Sequence, residues 1–262
     1  MITGLYAAST NLDAIIHQQD AIAGNIANAG VSGHKGETVV FRSFPDIMFE
    51  QQSPYIDKTS RANHVTGRIG TGVGVDWSYM NFQPGPLEYT GVNTDLTIDG
   101  DGFFMVETAN GPRLTRNSKY TIQFNEDRTQ GTLVTHEGYP LLGQKGQIKF
   151  PADQDLKVDA VGNVVAGNVV VDRLQLKTVP DKNVLLPESG ALFNLEEKWQ
   201  DDLQDAADAT VQQGYVEKSN VNMLVEMARM IESYRNYEAA GNMITTLDRT
   251  LDLAVNEIAR PV

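Results

Sequence analysis

Each end of this chain carries an apolar repeat that fits one side of a helix, and the two repeats need each other. Leu5, Ala8, Leu12, Ile15, Gln19, Ile22 and Ile26 fall at alternating steps of 3 and 4, which is the seam of a coiled-coil helix. Gln19 is its one polar member. The pattern stops at Asn28-Ala29-Gly30, and Gly30, Gly33 and Gly36 break up the next stretch of chain, as at a helix C-terminus. A seam this narrow on a terminal helix requires a partner.

The partner is expected at the other end. From Asn222 to Ala259 the chain has no proline and one glycine, Gly241. Met223, Met227, Met230, Tyr234 and Tyr237 form one seam; Ala240, Ile244, Leu247, Leu251, Ala254 and Ile258 form the next. The steps from Tyr234 to Tyr237 to Ala240 are 3 and 3, a stammer expected to overwind the helix locally. At ~1.5 Å per residue this helix would run roughly 55 Å, longer than a small globular core needs. Ser219-Asn220 can cap its start, and Pro261 cannot continue it.

The middle of the chain has a different grain. Residues 31–84 are low in periodicity and read as an extended linker. Over 85–195, short β-type runs such as Leu96–Ile98, Phe103–Val106, Tyr120–Phe124 and Leu174–Thr178 alternate with turn residues, the spacing of a compact β domain. Residues 196–209 read as a return to helix, with Glu196, Glu197, Asp201, Asp202, Asp205 and Asp208 against Lys198 alone. The expected fold is therefore α+β: paired, coiled-coil-like N- and C-terminal helices enclosing an inserted mainly-β domain. The segments are 1–30 and 220–262 for the helical core, 31–84 for the linker, 85–195 for the β domain and 196–219 for an acidic connector.

Composition narrows the function. A net charge of −13 argues against a phosphate-binding surface and hence nucleic acid. Mean hydropathy is −0.30, and no 18-residue apolar run suggests a membrane span. There is no cysteine, which removes disulfides, thiolate metal sites and cysteine nucleophiles together. The N-terminal sequence has no basic segment followed by a continuous apolar run, so no cleaved secretory signal is expected.

No catalytic, cofactor or metal site emerges. Asp99, Asp101 and Gly102 lack the spacing of a calcium loop, and Gly70, Gly72 and Gly74 lack that of a dinucleotide fingerprint. His17, His34, His64 and His136 have no ligand spacing. No Ser/His/Asp grouping stands out. The expectation is a non-enzyme with no cofactor and no small-molecule substrate.

Three stretches then become recognisable. Asn25-Ile-Ala-Asn28, leading into Ser32-Gly33-His34-Lys35, resembles the N-terminal signature of bacterial flagellar rod and hook proteins. The run Asn93–Phe104, with Gly100, Gly102, Phe103 and Phe104, resembles the family's central motif. It continues through Leu114-Thr-Arg-Asn117 and Leu133–Gly143. Gln213–Asn222, with Gly214, Ser219, Asn220 and Val221, followed by Glu226, Met230, Ile231, Arg235, Tyr237 and Glu238, resembles the third. The sequence departs from the pattern at Gly24, His34 and Thr97, and residues 125–130 lengthen one turn. Length argues against the hook protein, and Gly85–Gly91 and Glu226–Glu232 are more similar to the proximal than to the distal rod branch.

The resemblance implies an axial structural subunit whose terminal helices line an inner tube, with the β domain outside. Its implied partners are copies of itself and other rod and hook proteins. It also implies passage through the flagellar type III export apparatus, without cleavage, to a periplasmic rod. Asn25 and Asn28 either satisfy backbone groups at the helix end or bridge to another copy. An alternative of another class is a β-domain adhesin on a coiled-coil stalk.

Overall fold

Two long helices and a succession of short strands make up the computed structural model, which describes residues 2–45, 47–51, 64–188, 191–206 and 208–256. They divide into two units. The helical unit comprises Met1–Ile26, Glu37–Tyr79 and Met223–Val262; the β unit comprises Ala27–Gly36 and Met80–Asn222.

In the helical unit, α1 spans Ile2–Asn28 and α2 spans Met223–Asn256. On α1, Ala8, Ala14, Ile15 and Ile22 are buried, while Leu5, Leu12, Gln19 and Ile26 are half-buried. Tyr6, Ile16 and His17 stand out to solvent. The inward face is broader than a two-position seam, because Ala14 and Asn25 join it. Near the start of α1, Gly4 lies against Leu247 of α2, with 3.8 Å between the position of an added Cβ and the leucine methyl.

The inward face of α2 differs from its apolar pattern. Its buried residues are Glu226, Ser233 and Ala240. Met230, Ile244, Leu247, Leu251 and Ala254 are half-buried. Together with Tyr237, 39% exposed, these positions step 4, 3, 4, 3 without interruption. The stammer expected after Tyr234 therefore belongs to the spacing of hydrophobic residues and not to the buried face. Met223, Met227 and Tyr234 are 43, 44 and 64% exposed, since the positions that point inward in that half belong to Glu226 and Ser233. Ile258 lies outside the described residues.

Residues 31–84 contain more regular structure than a linker. Strand Glu37–Ser43 pairs with Val73–Met80, and Ile47–Gln51 pairs antiparallel with His64–Ile69.

The β unit is built on a six-stranded sheet in the order Leu185–Glu188, Leu192–Leu195, Gly111–Thr115, Phe103–Thr108, Leu176–Thr178 and Gln204–Asp205. Strand Phe103–Thr108 explains why the run Phe-Phe-Met-Val is unbroken. Side chains alternate between faces, and both faces are covered. Phe104 and Val106 enter a core with Leu96, Leu133, Leu141 and Ile148. Phe103 and Met105 enter another with Leu114 and Phe193. Each fully buried side chain of this size contributes about 1.5–3 kcal/mol. Smaller sheets pair Leu96–Asp99 with Thr210–Gln213 and Leu87–Tyr89 with Tyr215–Glu217. The acidic segment expected to be helical is instead a short 3-10 turn, Glu197–Asp202, followed by strands. A return to the sheet edge at Lys177 and Thr178 takes Gln204 and Asp205 out of helical geometry.

Candidate functional site

The chain passes between the two units at residues 26/27, 36/37, 79/80 and 222/223. Within the β unit, the segments beside these passages are tied together around one buried carboxylate. Glu217 accepts hydrogen bonds from Lys35 Nζ at 2.6 Å, from the Gly85 amide at 2.9 Å and from Arg116 at 3.3 Å. Lys35 and Glu217 are each 1% exposed though 182 residues apart in sequence. Gln83 O takes a further bond from Lys35 Nζ at 2.9 Å, and Ile98 O and Gly100 O accept from Arg116.

Two buried cations face one anion. Burial lowers the Lys35 pKa from the ordinary 10.5; Glu217 opposes this by charge and hydrogen bond, and the Arg116 charge adds to it. Burial also lowers Arg116, with Glu217 again opposing. A pair taken out of water in this way holds only while every partner stays in place.

The backbone closes the same junction. The Gly33 amide donates to Glu217 O at 2.9 Å. Gly33 has a φ of +71°, and a Cβ there would lie 2.0 Å from Arg116 O, so no larger residue fits the turn. Gly85 is equally constrained, with a would-be Cβ 1.9 Å from Lys218 O. Asn220 bridges three segments: its Oδ1 accepts from the Gly36 amide, and its Nδ2 donates to Asn81 O and Gln83 O. The Ser118 amide donates to Ser32 Oγ, and the Glu217 amide donates to Ser118 Oγ.

The three recognised stretches thus meet in space: Ser32, Gly33 and Lys35 from the first, Gly100 and Arg116 from the second, Glu217 and Asn220 from the third. Arg116 and Glu217 carry the geometry but had no role assigned from sequence. Their only advance signal was that each lies within one of the recognised runs, Leu114–Asn117 and Gln213–Asn222. Gly214, with φ +80°, donates its amide to Asp95 O, and Ser219 Oγ accepts from the Val221 amide ahead of α2. Gly102 packs against Ala206 and Ala209. Asp99 and Asp101 are engaged by Gln212 and Lys182.

Asn25 does something else again. Its side-chain amide donates to Glu37 O and accepts from the Glu37 amide, both at 2.8 Å. Within the helical unit it clamps the start of the first strand to α1, rather than capping the helix. The Asn28 carbonyl accepts from Val31 N at 3.0 Å.

On α2 the polar interior is incompletely satisfied. Glu226 Oε1 accepts from Arg229 at 2.7 Å, but among the described residues Glu226 Oε2 and Ser233 Oγ have no hydrogen-bond partner. Gln19 Nε2 of α1 is in the same condition. The outer side of the same half-helix is apolar: Leu224 is 78% exposed and Ile231 57%. Arg235 and Glu238 are exposed beside them. No group of three His, Cys, Asp or Glu able to hold a metal occurs among the described residues, and no described helix is long and apolar enough to cross a membrane.

Residues 97–166 match the family described as flagellar hook protein FlgE/F/G D1 domain, and 212–257 match flagellar basal body rod FlgEFG protein C-terminal. The chain is 31% identical to the flagellar basal-body rod protein FlgF of Caulobacter vibrioides, over 99% of this chain and 98% of that protein. It is 29% identical to FlgG of Bacillus subtilis, over 98% and 99%. It is 27% identical to the flagellar hook-basal body complex protein FlhO of the same organism, over 99% and 100%. The matches span both the β unit that holds the charged junction and the helix that exposes its apolar side, and on this basis the chain belongs to the flagellar basal-body rod protein family of structural subunits.

Proposed function

We propose that this protein is a non-enzymatic subunit of the proximal rod, polymerising through α1 and α2 into the axial shaft that carries motor torque to the hook. One observation carries the reading. The first half of α2 faces inward with Glu226 and Ser233 and outward with Leu224, Met227, Ile231 and Tyr234, the reverse of a helix finished within its own chain. On assembly the helices pack as a coiled-coil layer whose seams extend into neighbouring copies and other rod and hook proteins.

The chain crossings are anchored within the β unit. Every passage of the chain between the units ends, in the β unit, at segments tied to Glu217 or Asn220. The cysteine-free composition suits a protein that the flagellar type III apparatus exports unfolded to a periplasmic location.

Deleting the gene and imaging the basal body by cryo-tomography tests this: the rod should stop after its first few subunits, and a normal flagellum would overturn the reading. The distal rod is the second reading, since the chain is similar to more than one basal-body rod protein. Complementation separates the two, since a proximal-rod protein rescues only the proximal-rod null strain.

A further inference from the structure

Much of the β unit is joined between neighbours in sequence. Phe103–Thr108 pairs with Gly111–Thr115, Thr121–Phe124 with Gln130–Val134, and Leu185–Glu188 with Leu192–Leu195, each across a short turn. Residues 208–218 instead bond to segments much earlier in the chain. Among the described residues, Thr210–Gln213 is the one ladder partner of Leu96–Asp99, and Tyr215–Glu217 that of Leu87–Tyr89. Ala209 and Val211 join the core that holds Leu96 and Ile98. Gln213 Nε2 donates to Asn93 O and Leu156 O, while its Oε1 accepts from the Val158 amide. The three hydrogen bonds to the Glu217 carboxylate close spans of 101, 132 and 182 residues.

Closing spans of that length costs chain entropy before any contact repays it, whereas a hairpin closes across a few residues. Charge sets the same order. Lys35 and Arg116 are both buried, and without the Glu217 carboxylate two cations would be taken out of water side by side. We propose that residues 208–218 are a closing strap: they dock after the hairpins of the β unit have formed, and their docking locks the junction. Until then Lys35 and Arg116 have no shared carboxylate to hold them. A chain delivered N-terminus first would thus stay unlocked until nearly all of its β unit had passed. That consequence rests on the reading of the chain as an exported rod subunit; the order of docking does not.

Refolding of the full wild-type chain with pulsed hydrogen-exchange labelling tests the order. The amides of Val211, Gly214 and Lys218 donate to Ala160 O, Asp95 O and Pro86 O. They should gain protection several-fold more slowly than the amides of Glu107 and Leu141, which donate to Pro140 O and Leu133 O. Protection of both sets at one rate, or of the strap first, overturns the proposal. Two buried valines, Val211 in the strap and Val106 in a hairpin, give a second reading. Val211→Ala should leave the refolding rate within about two-fold of the wild type and raise the unfolding rate roughly ten-fold. Val106→Ala should slow refolding several-fold, and equal slowing by both variants counts against the strap. Simultaneous protection leaves the rod reading standing. A normal flagellum in the deletion strain sinks that reading and the consequence for export, and leaves the order of docking as measured.

Discussion

The β unit and the helical unit place their apolar residues in opposite ways. In the β unit Leu96, Phe103, Phe104, Leu133 and Leu141 are at most 1% exposed, and both faces of strand Phe103–Thr108 are covered. In α2 only Glu226, Ser233 and Ala240 of 34 residues are buried, while Leu224 is 78% exposed. Since apolar stabilisation follows the area removed from water, the β unit gains more of it within the chain than α2 does.

The sharpest way to break this contrast is at the junction. Glu217→Gln leaves Lys35 and Arg116 buried without their anion and should lower the stability of the β unit by about 3–5 kcal/mol, read as a fall in the denaturation midpoint at unchanged slope. Phe104→Ala should cost a similar ~3–5 kcal/mol. A loss below ~1 kcal/mol in both would mean that the β unit is not where stability resides. Lys35→Met should cost less than Glu217→Gln, because Arg116 still pairs with the carboxylate.

Smaller effects sharpen the comparison on the helical side. Ser233→Ala removes a buried hydroxyl with no partner and should stabilise α2 by roughly 1 kcal/mol, seen as slower amide exchange around position 233. Tyr234→Ala should change the monomer by no more than about 0.5 kcal/mol while impairing assembly. The smallest expected effect is a pH dependence. The folded Lys35 pKa lies below the ordinary 10.5, so between those values the unfolded chain binds more protons and stability rises with pH. The difference between wild type and Lys35→Met should therefore shift in favour of the wild type as pH is raised toward 10.5, measured by chemical denaturation.

Legibility in the sequence divided along the same line. Strands such as Phe103–Thr108 and Thr121–Phe124 show in runs of β-type residues, and both helices show in steps of 3 and 4. The orientation of α2 does not, because spacing locates hydrophobic residues without telling which way they face. Glu226 and Ser233 hold the inward positions, so the apolar register of Met227 and Tyr234 pointed away from the buried face. The junction was hidden for another reason. Lys35 and Glu217 are neighbours only after the chain has folded across 182 residues, and no local period connects them. The strands at 37–43 and 73–80 were missed because their sides are half-buried or exposed on both faces, which leaves no alternation to read.

Hydrogen exchange of the dilute monomer, compared with the assembled rod, tests the central contrast most directly. Amides of the β unit around Phe104 and Leu133 should be strongly protected in both states, whereas those of α2 over residues 223–238 should exchange rapidly in the monomer and become protected on assembly. Strong protection of that half of α2 in the dilute monomer would contradict the view that the helical unit is left for other copies to complete.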